Sequence, residues 1–136
     1  MNSPNSAEGG LAWVVDRFVQ DVDGVSYAVV LSADGLALAE GGKPSPDHAD
    51  RLAAVASGVF YLASSISQVF DLSSYEHSIL RFADGSVVVT AMAKGAALAV
   101  VTDRGARLGI VSHEMALFAG RVGENFDLAP RKVVAS

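Results

Sequence analysis

Hydrophobic positions along this chain follow two periods, one of three to four residues and one of two, and each change of period marks a new element. Between Leu11 and Val22 the apolar residues Leu11, Val14, Val15, Phe18, Val19 and Val22 share one face, with Asp16, Arg17, Gln20 and Asp21 opposite. That is the pattern of an amphipathic helix. Gly24 follows as a helix stop, because glycine enters the left-handed conformation at little cost. Val25–Ser32 (VSYAVVLS) is β-branched and apolar on both faces, which predicts a central strand. Ser32-Ala33-Asp34-Gly35 reads as a tight turn, and Leu36 to Glu40 as the returning strand of a hairpin. Gly41-Gly42-Lys43-Pro44 reads as a loop. Ser45-Pro46-Asp47 then supplies an N-cap, a first-turn proline and a first-turn acid, all favourable where a helix begins.

The next stretch, Leu52 to Phe70, is nineteen residues without a charge. One apolar stripe runs through Leu52, Val55, Val59, Leu62, Ile66 and Val69. A second runs beside it through Ala53, Ala56, Phe60, Ala63 and Phe70. The remaining face (Ala54, Ser57, Gly58, Tyr61, Ser64, Ser65, Gln68) is small or uncharged polar. A surface helix needs an apolar sector of only about 100°. Two stripes call for two packing partners, its own sheet and a second protein surface. A membrane span is a poor reading, since serines, a glutamine, a tyrosine and a glycine interrupt the run and no basic cluster flanks it. A helix buried wholly in its own domain would need more layers than a chain this small builds.

Three strands follow. Tyr75–Phe82 (YEHSILRF) is mixed in polarity and reads as an edge. Asp84-Gly85 turns into the apolar strand Ser86–Met92, and Lys94-Gly95 turns into Ala96–Thr102, a second central strand. A last helix over Ala106–Glu124 buries Leu108, Val111, Met115, Phe118 and Val122. The predicted order is α-β-β-α-β-β-β-α: an α/β (α+β) domain with one five-stranded antiparallel sheet, two terminal helices on one face and the central helix on the other. The expected domain is residues 8–124, between a disordered N-terminus (1–7) and a flexible C-terminal tail (125–136).

Composition narrows the chemistry. At 136 residues the chain is one domain with a full core, and half of it is hydrophobic. Fifteen acids against ten bases leave a net charge of −5, which argues against nucleic acid and against anionic lipid as partners. Without cysteine there is no disulfide, thiolate or Cys-ligated metal chemistry. The N-terminal residues MNSPNSAEGG lack the basic and apolar regions of a signal peptide, so a cytoplasmic location is expected.

No catalytic constellation emerges. His48, His77 and His113 lie in three elements without ligand spacing, and no serine sits in a G-x-S-x-G elbow. Gly41-Gly42-Lys43 lacks the spacing and the Ser/Thr of a phosphate loop. No metal, no cofactor and no enzymatic activity are expected. Gly58, beside Ser57, would let another backbone approach closely, and Tyr61 is an amphipathic ring of the kind that anchors interfaces.

The element order, together with two fingerprints, resembles the roadblock/dynein light-chain family, and in it the short bacterial members such as gliding-polarity GTPase regulators and actinobacterial conservon proteins. The first fingerprint is Gly24-Val25 through Ser32-Ala33-Asp34-Gly35-Leu36, and the second is Leu108-Gly109-Ile110-Val111 through Glu114-Met115. The likeness covers about residues 8–124. It implies a profilin-like fold and a homodimer in which central helices lie side by side and third strands pair edge to edge. It also implies binding to a Ras-like small GTPase, as regulator, activating partner or scaffold, and it carries over no catalytic residue. On this basis the expected contact surface is Ala56, Ser57, Gly58, Phe60, Tyr61, Ser64, Ser65 and Gln68 of the central helix with Ser78 and Leu80 of the edge strand. The alternative is a sensory module of PAS or GAF type, holding a small ligand between sheet and helix.

Overall fold

The computed structural model describes residues 7–43 and 47–130. Three helices, five strands and one short 3-10 turn follow the predicted order: α1 (Ala7–Asp21), β1 (Val25–Leu31), β2 (Ala37–Gly42), α2 (His48–Val69), β3 (His77–Phe82), β4 (Gly85–Ala91), β5 (Ala97–Asp103) and α3 (Leu108–Asn125), with the turn at Ala93–Gly95. The strands form one antiparallel sheet in the order β2-β1-β5-β4-β3. The two strands apolar on both faces, β1 and β5, pair with each other inside the sheet. Among the described residues the polar strand β3 pairs only with β4, at the end of the sheet.

Alternation along the strands builds two cores. On one face, Leu11, Val15, Phe18 and Val22 of α1 and Val111, Met115, Phe118 and Val122 of α3 close over Val30, Val88, Leu98 and Val100. The Phe18 and Phe118 rings meet edge to face, with centroids 5.1 Å apart. On the other face, Ala49, Ala53 and Ala56 of α2 sit on Tyr27, Val29, Val89, Ala97 and Ala99. The alanines decide the helix's rotation, since small side chains let its backbone settle close to the pleated surface. By length and composition alone α2 is apolar enough to cross a bilayer; here its alanine row is committed to the sheet.

Three boundaries differ from expectation, each for a local reason. Strand β2 runs on through Gly41 and Gly42 instead of looping. A Cβ at Gly41 would lie 2.6 Å from the Asp16 backbone, and the Gly42 N–H donates to Asp16 Oδ1 at 3.1 Å, so the glycines let α1 close onto this strand. Helix α1 begins at Ala7, ahead of the expected start at Leu11. Residues 126–130, expected as part of the tail, are packed: Leu128 is 1% exposed in the α1/α3 core and Phe126 lies beside it. Lys94 Nζ lies 3.6 Å from Asp127 Oδ1 across this return. The expected N-cap Ser45 and first-turn Pro46 lie outside the described residues, as do residues 1–6 and 131–136; Asp47 occupies the cap position without a side-chain cap bond.

Candidate partner-binding surface

Helix α2 runs from a contact with β1 to one beside the entrance of β3. At its start the His48 ring stands 6.4 Å from Tyr27 on β1. Three turns later the Phe60 ring packs edge to face on Tyr75, centroids 5.2 Å apart, just before the edge strand β3. The Tyr75 hydroxyl donates to the Val89 carbonyl of β4 at 3.1 Å and lies 2.8 Å from Ser78 Oγ, fixing that ring at the border of the sheet. Burial holds the Tyr75 phenol above its ordinary range, against a smaller lowering by Ser78. The buried residues of α2 (Ala49, Ala53, Ala56) all precede Phe60, and after it Tyr61 and Ser64 border a cleft shared with Leu31 and Ala97.

One flank of α2 is apolar. Leu62, Ile66 and Val69 are 63%, 53% and 76% exposed, and Val55, Phe70 and Leu72 are exposed beside them. Beneath this flank the sheet is open at the Gly85 end of β4: Leu80, Phe82, Val87 and Val101 lie on the α2 face, and Phe82 is largely exposed. A soluble chain rarely leaves a contiguous apolar surface of this kind uncovered unless something binds there. Its floor borders the outer edge of β3, whose backbone groups offer a pairing row.

The expected contact residues divide among three positions. Ala56 is 0% exposed and faces the chain's own sheet, so it is a packing residue and not surface. Phe60, Ser78 and Leu80 are half-buried at the border, Phe60 against Tyr75. Ser57, Gly58, Tyr61, Ser64, Ser65 and Gln68 lie on the opposite flank, which is smaller and more polar; Tyr61 is exposed and Ser65 Oγ donates to its carbonyl at 3.0 Å. A Cβ at Gly58 would meet nothing within 4 Å. Val55, Leu62, Ile66 and Val69, exposed along the apolar flank, stand outside that set. The signal was side-chain size, since the alanine row faces the sheet and the branched row faces out.

Other clefts are open at the surface. Between α2 and the sheet, Ala53, Ala56, Val29 and Ala99 share one buried apolar cluster, and clefts of about 500 and 260 Å³ open on either side of the helix. Among the described residues no group of three His, Asp or Glu side chains is placed to share a cation.

The sequence model of the Roadblock/LC7 domain matches residues 11–102. The crystal structure of a Roadblock/LC7 domain from Streptomyces avermitilis is similar over 82% of this chain and 92% of that one, with 32% identity and a TM-score of 0.77. Myxococcus xanthus MglB is similar over 85% of this chain and 93% of its own, at 16% identity and a TM-score of 0.77. Profilin IB of Acanthamoeba castellanii shares the fold at 20% identity, over 83% and 96% of the two chains, with a TM-score of 0.57. No curated protein sequence matches significantly.

Proposed function

We propose, from the premise that the chain belongs to the Roadblock/LC7 domain family, that it is a non-enzymatic homodimer that regulates or scaffolds a Ras-like small GTPase in a bacterial cytoplasmic signalling system. One observation carries the assembly: α2 leaves Val55, Leu62, Ile66 and Val69 exposed along one apolar flank. A copy related by a twofold axis perpendicular to the sheet supplies both missing neighbours. Its β3 extends the ladder at the outer edge of β3, and its sheet lies under the exposed flank of α2. Both contacts are isologous, so the assembly closes at two.

The GTPase role rests on the family likeness. Such a protein acts through what it holds in place on its partner, because phosphoryl transfer depends on positioning and charge. The test pairs the full chain with small GTPases of the same bacterium, loaded with GDP or a non-hydrolysable GTP analogue. Calorimetry reads the complex and phosphate release reads hydrolysis. The expected result is a GTP-dependent complex with one dimer; faster phosphate release makes the chain an activator, and an unchanged rate makes it a scaffold. No complex in either nucleotide state overturns the GTPase reading.

A further inference from the structure

The branched apolar stripe of α2, exposed at Val55, Leu62, Ile66 and Val69, reads the same from both ends. Leu52, Val55, Val59, Leu62, Ile66 and Val69 are separated by three, four, three, four and three residues. An antiparallel copy centred between Phe60 and Tyr61 therefore sets Leu52 against Val69, Val55 against Ile66 and Val59 against Leu62, each pair formed twice. Shifting the copies by a residue breaks every pair, because the two helices then present different faces to each other.

The same register brings the end of one α2 to the start of the other. At that start is a cleft of about 500 Å³, walled by Tyr27, Leu52, Val55 and Val101, with Lys43 and Arg51 at its rim. At the other end Phe70 and Leu72 stand exposed on an ordered turn: the Phe70 N–H donates to the Ile66 carbonyl at 3.0 Å and the Leu72 N–H to the Ser67 carbonyl at 2.9 Å. This is the closing pattern in which a left-handed residue, usually glycine, ends a helix. Here Asp71 occupies it, at φ 56°. An exposed acid between two exposed apolar side chains matches an apolar cleft with a basic rim.

We propose that each copy's Phe70 enters the cleft at the start of the other copy's α2, with its Asp71 against Arg51 and Lys43, so that this pair of contacts fixes the register of the dimer. The inference rests on the homodimer reading and adds to it the occupant of the cleft.

The absence of cysteine from the chain makes cross-linking a direct test. In the Leu52→Cys/Val69→Cys chain the two thiols lie about 25 Å apart along one helix, too far for a bridge within one copy. Mild oxidation is expected to give a covalent dimer from the double variant and not from either single variant. Phe70→Ala is expected to raise the dimer Kd at least tenfold. Arg51→Glu and Asp71→Arg should each weaken the dimer, and the two combined should restore most of the loss. A wild-type chain that stays monomeric overturns the dimer reading itself. A wild-type dimer in which the cysteine pair fails to cross-link and the charge exchange fails to rescue overturns the register alone.

Discussion

Phe60 of α2 and Tyr75 at the entrance to β3 meet edge to face with ring centroids 5.2 Å apart, and the fully buried positions of α2 all precede this contact. Before it, the helix packs with an alanine row; after it, Leu62, Ile66 and Val69 of the branched row are exposed. The proposed partner surface is that exposed row.

The two flanks of α2 should respond differently to charge. Burying a leucine stabilises a contact by about 1.5–3 kcal/mol, so Leu62→Glu should raise the dimer Kd by at least about a hundredfold. Tyr61→Glu, on the opposite flank, should change it far less. Sedimentation reads both variants, with circular dichroism confirming that the monomer stays folded. Equal loss from both would mean that the contact wraps the helix and does not follow one stripe.

Ala56 should tolerate no enlargement. It is fully buried between α2 and the sheet, so Ala56→Leu should destabilise the fold by about 1–3 kcal/mol. Denaturant unfolding checks this. An unchanged midpoint would show that the helix does not sit on its alanine row.

Leu128→Ala should cost about 2–5 kcal/mol, the range for truncating a fully buried leucine, although the residue follows the last helix. Thermal and denaturant unfolding measure it. A cost near zero would return this segment to the status of a tail.

Much of this architecture could be read from the residues. The uniform apolarity of β1 and β5 marked them as interior strands, and the mixed polarity of YEHSILRF marked β3 as an edge. The rotation of α2 was harder, because two adjacent apolar stripes satisfy the same period and only side-chain volume separates them. Tyr61 drew attention as an aromatic ring, while the branched row was ordinary in type and telling only in its symmetric spacing. Leu128 was hidden for another reason: a single buried side chain after a helix carries no period. Gly41 and Gly42 looked like a loop because close approach by α1 is a tertiary fact.

Alkaline pH should expose Tyr27. Burial first, then the hydrogen bond to Glu40 and the negative charges of Glu40 and Asp50, hold its phenol well above the ordinary value. Its hydroxyl donates to Glu40 Oε2 at 2.7 Å. The folded chain thus keeps this proton more tightly than the unfolded chain. Its contribution to stability is whole below about pH 10 and is lost as pH rises through the raised folded value. Unfolding followed from pH 7 to 11 should show stability falling above about pH 10, and Tyr27→Phe should flatten part of that fall at a neutral-pH cost of about 1 kcal/mol. An unaltered slope in the variant would assign the alkaline loss elsewhere, Tyr75 being the other phenol raised by burial.

Sedimentation equilibrium of the unmodified chain, across low to high micromolar concentration, tests the central claim most directly. The account predicts a single species of twice the 14.0 kDa chain mass, dissociating only on dilution. A 14.0 kDa monomer throughout that range would contradict it, leaving the exposed row of α2 without the neighbour its residues call for.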